Sequence, residues 1–267
     1  MTSGITRVGE IELSYSVSGK GESTVLLVMG LGGRAADWGT RLPEILARRH
    51  RVVTFDNRGT GASSKPKAHW TLEDMARDAI TVLDAVGAER AHVMGISMGG
   101  MISQLIALDH AARLDRLVLL STHSGGPDVV YPSGEVASVF STDPGTPVDV
   151  MMTRAMRLIS APGFAEAHPE AIAELVRLAV LQPTPWRAFM AQLQAIIGSD
   201  RSKRLSQVTA PTLIVHGDLD PLIPYPNGVA LAKLIPNSTL ITLEGCGHLP
   251  MWEVPEELGR IVADFLS

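Results

Sequence analysis

Residues 90–101 read Arg-Ala-His-Val-Met-Gly-Ile-Ser-Met-Gly-Gly-Met, and this stretch decides the fold. The apolar run Ala91–Met94 predicts the end of a buried strand, and apolar residues recur at helical spacing after Gly99. Gly95 and Gly99 flank Ser97 in a Gly-x-Ser-x-Gly pattern. Because glycine lacks a Cβ atom, a strand and a helix can cross closely around a strained turn there. The stretch predicts a strand–turn–helix unit with Ser97 at its apex, as a catalytic nucleophile or as a small packing residue.

The composition narrows the class of protein. The 267 residues are 45% hydrophobic and 19% charged, which is enough apolar material for a sizeable core. A net charge of −5 disfavours a nucleic-acid surface, which needs clustered Lys and Arg. One cysteine, Cys246, excludes an intrachain disulfide. The first residues lack the apolar segment of a signal peptide, and no apolar run reaches the roughly 18 residues of a membrane span. We expect a cytoplasmic protein without nucleic-acid or membrane partners, and the sequence leaves the oligomeric state open.

Strands and helices alternate along most of the chain. Alternating apolar residues in Ile5–Val8 and Ile11–Val17 predict an antiparallel pair. Further strands are predicted at 24–29, 51–55, 91–94, 116–121, 212–216 and 239–243, and helices at 38–48, 72–86, 229–234 and 255–265. This order predicts an α/β fold with a mostly parallel eight-stranded sheet flanked by helices.

Residues 124–205 interrupt the alternation. They begin with turn-forming residues, among them Asp143-Pro144-Gly145. Helices are then predicted at 148–159, 170–181 and 186–197. We therefore predict a core formed by residues 1–123 and 206–267, with a helical cap formed by residues 124–205 inserted after the sixth strand.

A nucleophilic serine needs a general base, and one histidine has a suitable context. Of eight histidines, His248 alone lies in a glycine-flanked loop, Gly245-Cys246-Gly247-His248-Leu249-Pro250, between the last strand and the last helix. The carboxyl ends of parallel strands meet at one edge of a sheet, so this loop can approach Ser97. The alternative interpretation is a solvent-facing loop histidine.

Two aspartates compete for the role of orienting that histidine. Asp218 and Asp220 both follow the strand 212–216. Asp220 lies further into the loop, and Pro221 restricts its backbone to an extended shape. Asp218 could instead accept a hydrogen bond within its own turn. We favour Asp220.

A glycine-rich loop, Gly30-Leu31-Gly32-Gly33, follows the third strand and can supply an oxyanion hole. The predicted donors are the backbone N–H groups of Leu31 and of Met98, the residue after the nucleophile. Gly30, His123 and Leu249 are candidates for the lining of the pocket.

The same loop has a second interpretation. Gly30-Leu31-Gly32-Gly33-Arg34-Ala35 fits Gly-x-Gly-x-x-Ala after a strand, and Asp56 ends the next strand, as in a dinucleotide-binding fingerprint. Three features disfavour it. An antiparallel pair precedes the motif, Gly39 and Pro43 interrupt the following helix, and the contexts of the predicted serine, aspartate and histidine would stay unexplained.

Taken together, the motifs resemble those of the α/β-hydrolase fold superfamily. They occur in the order Ser, Asp, His, as Gly95-x-Ser97-x-Gly99, Gly217-x-x-Asp220-x-x-x-Pro224 and Gly247-His248-x-Pro250. Asp56-x-Arg58-Gly59-x-Gly61 is similar to a turn these proteins carry after an early strand. The resemblance covers the whole chain and implies a Ser97–Asp220–His248 triad under a helical cap. Many members have His-Gly at the oxyanion loop, whereas this chain has Met29-Gly30, so the hydrogen bonds that brace the loop are not predicted.

The expected activity follows from these residues. Ser97 at the elbow disfavours the carboxylate attack of dehalogenases and epoxide hydrolases of this fold. No His, Cys or Asp cluster has metal-ligand spacing, and we expect neither metal nor cofactor. We expect a serine hydrolase that cleaves a carboxylic ester or lactone of a small, uncharged, moderately hydrophobic substrate through an acyl-enzyme. The alternatives are perhydrolase or haloperoxidase-like chemistry, carbon–carbon bond hydrolysis, cofactor-free oxygenation, and a ligand receptor with negligible turnover.

Overall fold

The computed structural model describes residues 1–67, 69–141 and 145–267, so Asp143 and Pro144 of the predicted turn lie outside the described residues. Eight strands form one sheet: β1 (Thr2–Val8), β2 (Ile11–Ser18), β3 (Thr24–Val28), β4 (Arg51–Phe55), β5 (Ala91–Ile96), β6 (Leu114–Leu120), β7 (Thr212–Gly217) and β8 (Ser238–Leu243). Their order is β1-β2-β4-β3-β5-β6-β7-β8. The pairs β1–β2 and β2–β4 are antiparallel, and all other pairs are parallel. The predicted mostly parallel eight-stranded sheet is confirmed.

The helices are α1 (Arg41–Leu46), α2 (Leu72–Ala85), α3 (Met98–Asp109), α4 (Val148–Ile159), α5 (Phe164–Ala167), α6 (Pro169–Leu181), α7 (Trp186–Ile197), α8 (Pro226–Leu234), α9 (Pro250–Glu253) and α10 (Pro255–Leu266). Helix α1 packs against α10, and α2 packs against α3. Every residue of β3, β5 and β7 is buried, as expected for strands covered on both faces. No helix within the described ranges is both long and apolar enough to cross a membrane.

Several predicted boundaries differ from the structure by two or three residues, and two of the differences have a clear local cause. The helix predicted at 38–48 is shorter in the structure: a 3₁₀ turn at Ala35–Trp38 ends at Gly39, and α1 spans only Arg41–Leu46. The interruption expected at Gly39 is observed, whereas Pro43 lies within α1. Gly39 has φ 67°, a left-handed conformation that ends a right-handed helix. Strand β6 begins two residues before the predicted Arg116, because Leu114 pairs with Ala91 at the start of β5.

Helices α4 to α7 all lie between β6 and β7, and the two ends of this insertion are tied together. The N–H of Arg201 donates to Ser124 O at 2.9 Å. The buried guanidinium of Arg201 donates to His123 O at 3.3 Å and to Gln104 Oε1 at 3.1 Å. Burial lowers the pKa of Arg201 to about 10. The insertion therefore leaves and re-enters the core at one point, beside the carboxyl end of β6.

Candidate active site

Ser97 occupies a strained turn between β5 and α3. Its φ is 55° and its ψ is −122°, a region that non-glycine residues rarely adopt. A Cβ atom on Gly99 would lie 1.9 Å from Val28 O, and one on Gly95 would lie 2.2 Å from Gly99 O. Thr122 Oγ1 donates to Ser97 O at 2.7 Å. The two glycines and the hydrogen bond hold the elbow in one conformation, with Ser97 only partly buried.

Asp220 and His248 form a buried pair in the loops after β7 and β8, at the same edge of the sheet as the Ser97 turn. His248 Nδ1 lies 2.8 Å from Asp220 Oδ2, and each residue is 4% exposed. Asp220 Oδ1 accepts hydrogen bonds from the N–H groups of Leu222 at 3.0 Å and Ile223 at 2.8 Å. An ionised carboxylate can only accept, so His248 carries its proton on Nδ1 and its Nε2 is free to act as a base. Burial alone would raise the pKa of Asp220, but the His248 imidazole, together with His216 and the N–H of Ile223, outweighs it and lowers that pKa.

Asp218 lies on the outside of the same turn. Its side chain is exposed, and its Oδ1 accepts a hydrogen bond from the N–H of Gly245 at 2.7 Å. This bond joins the turn after β7 to the loop after β8 that carries His248. The structure therefore brings Asp220, and not Asp218, against the histidine.

Ser97 and His248 share one edge of the sheet without a direct bond. Within the described ranges, no hydrogen bond joins Ser97 Oγ to His248 Nε2. This contact is often long in unliganded enzymes and shortens when substrate binds. The geometry brings the predicted base and its orienting acid together, and the predicted nucleophile lies on the same edge of the sheet.

The Gly30–Gly33 loop forms a tight turn against the elbow. Gly33 N–H donates to Gly30 O at 3.2 Å, and Gly32 has φ 69°. A Cβ atom on Gly30 would lie only 3.2 Å from the Cβ of Ser97. In the part of the chain that the structure describes, neither Leu31 N–H nor Met98 N–H donates a hydrogen bond to protein. Both N–H groups can therefore donate to an oxyanion.

The hydrogen bonds of Asp56 argue against the dinucleotide interpretation of this loop. Its Oδ1 accepts from the N–H of Ala35 and its Oδ2 from the N–H of Ala62, both at 2.8 Å. The residue is 7% exposed. Both oxygens of the acid that would bind a ribose hydroxyl are thus used to join two loops of the protein.

Glu253, on the short helix α9, organises the loop around His248. Its carboxylate accepts from the N–H groups of Gly247 at 2.8 Å and Leu249 at 2.9 Å, which flank the histidine. It also accepts from the N–H of Ala161 in the insertion at 3.0 Å. Glu253 was not among the predicted site residues, although an acidic side chain five residues after His248 was the available signal.

His216, the penultimate residue of β7, was also missed. Its Nε2 donates to Ile223 O at 2.7 Å and lies 3.5 Å from Asp220 Oδ2. The ring is fully buried, and this burial lowers its pKa. A neutral histidine therefore supports the loop that presents Asp220. The available signal was the position of His216 at the end of a buried strand, just before the turn that contains Asp218 and Asp220.

The remaining predicted positions lie near the same edge of the sheet. His123 is 8% exposed and its Nδ1 accepts from Gly125 N–H at 3.0 Å. Burial lowers its pKa to about 3, so the ring is neutral. Leu249 is buried. Cys246 is buried as well, and this burial raises the pKa of its thiol. The described residues contain no group of three His, Cys, Asp or Glu side chains that could hold a metal ion.

Known proteins that are similar to this chain are named as hydrolases. A family model described as the alpha/beta hydrolase fold matches residues 23–255. The chain is similar to "Putative carbamate hydrolase RutD" of Variovorax paradoxus (strain S110), with 32% identity over 96% of each chain. It is 30% identical to 2-hydroxy-6-oxononadienedioate/2-hydroxy-6-oxononatrienedioate hydrolase 2 of Pseudomonas putida, over 98% of this chain and 94% of the relative. A similar solved structure is the enol-lactonase from Burkholderia xenovorans LB400, with a TM-score of 0.87, 24% identity, and coverage of 98% of this chain and 99% of that one.

Proposed function

The chain belongs to the α/β-hydrolase fold family, and from that premise we propose that it is a serine hydrolase that cleaves a carboxylic ester or lactone. One observation carries the proposal. The 2.8 Å hydrogen bond between His248 Nδ1 and Asp220 Oδ2 lies at the same sheet edge as the strained turn of Ser97. A base oriented by a buried carboxylate, beside an accessible serine, is the arrangement that nucleophilic acyl transfer needs.

The reaction proceeds in two steps on this arrangement. Ser97 Oγ attacks the carbonyl carbon while its proton passes to His248 Nε2, and the carbonyl electron pair moves onto oxygen. The N–H groups of Leu31 and Met98 stabilise that oxyanion. The intermediate collapses, the bond to the leaving oxygen breaks, and His248 protonates that oxygen. Water then gives a proton to His248 and attacks the acyl-enzyme, which releases the acid and restores the Ser97 hydroxyl.

Asp220 keeps its negative charge throughout. It fixes the imidazole tautomer that has a free Nε2, and it stabilises the imidazolium formed in each step. The lowered pKa of Asp220 supports this role, because a carboxylate that stays ionised can balance the positive charge of the ring.

The substrate that fits best is small, uncharged and moderately hydrophobic. Arg34, which directly follows the oxyanion loop, uses its guanidinium on Asp37 and on the carbonyls of Leu178 and Gln182. The aromatic ring of Phe189 packs on Gly32, where a Cβ atom would lie 3.0 Å from the ring. Arg34, the cation nearest the loop in sequence, thus already binds other groups of the protein. The apolar side chain of Phe189 lies over the loop.

We assign the surroundings of the site on the same basis. Residues 124–205 act as a cap on the core formed by residues 1–123 and 206–267. Gly30, His123 and Leu249 line the pocket. The partner of the protein is a small-molecule ester or lactone, without nucleic acid or membrane. The insertion's contacts with both the oxyanion loop and the His248 loop support these assignments.

The first test is turnover of short-chain p-nitrophenyl esters by the wild type and by Ser97→Ala. We expect the variant to lose nearly all turnover and all covalent labelling by a fluorophosphonate. Ser3→Ala, an exposed serine on β1, is the matched control and should keep both. Full activity of Ser97→Ala rejects the proposal.

A second candidate function comes from the relatives. One at 30% identity is named as a 2-hydroxy-6-oxononadienedioate hydrolase, and another at 32% as a carbamate hydrolase. All three reactions begin with attack on a carbonyl carbon, so the same residues could serve each. Incubation with an aryl ester, a lactone, a carbamate and a 2-hydroxy-6-oxo dienedioate, followed by mass spectrometry of the products, separates them. Product bound in a 1:1 ratio without further turnover would instead favour the ligand-receptor alternative. Products of oxidation would favour cofactor-free oxygenation, and products of perhydrolysis would favour perhydrolase or haloperoxidase-like chemistry.

A further inference from the structure

The oxyanion loop is a tight turn whose type is set by its central peptide group. Residues 30–33 form a turn closed by the bond from Gly33 N–H to Gly30 O. Leu31 has a negative φ and Gly32 has φ 69°, which defines a type II turn. Types I and II differ in the orientation of the central peptide, here the one between Leu31 and Gly32. The Leu31 N–H belongs to the preceding peptide, whose carbonyl accepts the closing bond and whose orientation is the same in both turn types. The direction of that N–H therefore depends on where the whole turn lies against the elbow.

The side chain of Gln192, on α7 of the insertion, fixes that central peptide. Gly32 N–H donates to Gln192 Oε1 at 2.8 Å, and Gln192 Nε2 donates to Arg58 O at 2.9 Å. Gln192 is fully buried. It shares the inward face of α7 with Ala188, which packs against Gly59. The amide therefore links the oxyanion loop to the turn after β4.

Hydrogen-bond chemistry makes an amide the appropriate group at this position. One partner is a backbone donor and the other is a backbone acceptor, so the side chain must offer both an acceptor and a donor. Thr184, also in the insertion, holds the next peptide of the turn, because its Oγ1 donates to Gly32 O at 2.8 Å. From the core side, Asn57 Nδ2 donates to Met29 O at 2.9 Å.

We propose that Gln192 is a positioning residue for the oxyanion hole: through its amide, the helical insertion holds the Gly30–Gly33 turn in the position against the elbow that presents Leu31 N–H to the substrate. The inference rests on the proposed function and adds a role for the insertion in the chemical step. It also supplies the brace that the Met29-Gly30 sequence left unpredicted.

The test compares Gln192→Met with the wild type. Methionine keeps the unbranched shape but cannot satisfy both backbone partners, so the turn loses this anchor and can shift against the elbow. We expect kcat for a p-nitrophenyl ester to fall about tenfold or more, a part of the roughly 10²–10³ that a lost oxyanion donor costs. KM should stay within about twofold, since the contacts with the ground-state substrate are unchanged. Gln194→Met, two residues along on the exposed face of α7, is the matched control and should match the wild type.

Two further measurements separate positioning from general damage. Thr184→Val keeps the shape of the side chain and removes the neighbouring hydrogen bond, so it should lower kcat in the same way even if Gln192→Met folds poorly. A trifluoromethyl ketone, which forms a tetrahedral adduct with the serine, should bind each variant more weakly by a factor close to the loss in kcat.

The outcomes distinguish the two proposals. A wild type without Ser97-dependent turnover overturns the proposed function, and this inference with it. Ser97-dependent turnover with unchanged kcat and unchanged ketone affinity in folded Gln192→Met and Thr184→Val overturns this inference alone. A rise in KM at constant kcat also overturns it, because Gln192 would then act on substrate binding.

Discussion

His248 Nδ1 and Asp220 Oδ2 lie 2.8 Å apart, whereas Asp218, two residues earlier, is exposed and bonded to the N–H of Gly245. The turn after β7 thus uses its two aspartates differently. One orients the imidazole, and the other joins two loops at the surface.

Asp220→Asn should therefore inactivate the protein without unfolding it. The amide oxygen can still accept from the N–H groups of Leu222 and Ile223, but an amide N–H₂ facing His248 favours the wrong imidazole tautomer. We expect kcat to fall by about 10⁴, the scale known for triad aspartates. Ester turnover and urea unfolding measure the two effects. Asp218→Asn is the control, and a loss of kcat there equal to that of Asp220→Asn would contradict the assignment.

Gly99→Ala should unfold or strongly destabilise the protein. The new Cβ atom would meet the carbonyl oxygen of Val28 at 1.9 Å, and both belong to backbone that cannot move independently. We expect the free energy of unfolding to fall by at least about 3 kcal/mol, the upper range for overpacking. Gly198→Ala is the control: Gly198 has φ −78°, and its Cβ atom would lie 3.4 Å from Gln194 O. It should leave stability unchanged or raise it by up to about 1 kcal/mol.

The features that the sequence predicts well are local ones. The elbow needs only Gly95, Ser97 and Gly99 within five residues, and buried parallel strands are continuous apolar runs. The placement of Asp220 and His248 follows from a general property of parallel sheets, whose carboxyl strand ends share one edge. These predictions required no knowledge of which side chains meet.

The features that the sequence does not predict are contacts between distant segments. Gln192 meets a backbone group 160 positions away, and Glu253 meets the insertion 92 positions away. Nothing in the local pattern around either residue specifies those partners. The shortened helix at 38–48 has a local cause instead, because the positive φ of Gly39 interrupts it before α1 begins.

Protonation of His92 should destabilise the fold at mildly acidic pH. His92 is 7% exposed, its Nδ1 is buried without a partner, and its ring lies edge-on to that of His50 with centroids 5.8 Å apart. Burial lowers its pKa from 6.5, with Asp115 opposing and His50 and Arg116 adding to the shift. The unfolded chain therefore binds more protons below pH 6.5, and the free energy of unfolding must decrease as pH falls through that range.

The measurement is the pH dependence of urea unfolding between about pH 7.5 and 5. His92→Gln should reduce the slope by up to about 1.4 kcal/mol per pH unit. Burial raises the pKa values of Asp37 and Asp78, so these two residues change the slope in the opposite direction. Their contribution is the same in wild type and variant. His168→Gln, at an exposed histidine, is the control. A slope that His92→Gln leaves unchanged would falsify this explanation.

Glu253→Gln should weaken both the fold and the positioning of His248. The carboxylate accepts three backbone N–H groups, those of Gly247, Leu249 and Ala161, whereas the amide has one accepting oxygen. At least one N–H loses its acceptor, and the amide N–H₂ then faces a donor. We expect the free energy of unfolding to fall by about 1.5–3 kcal/mol, the range for a hydrogen bond to a charged group. Ester kcat should also fall, because the residues that flank His248 are no longer fixed. Glu257→Gln, exposed in the first turn of α10, is the matched control. A loss of stability with unchanged kcat would limit Glu253 to holding the insertion on the core, whereas a loss of both places it among the groups that position His248.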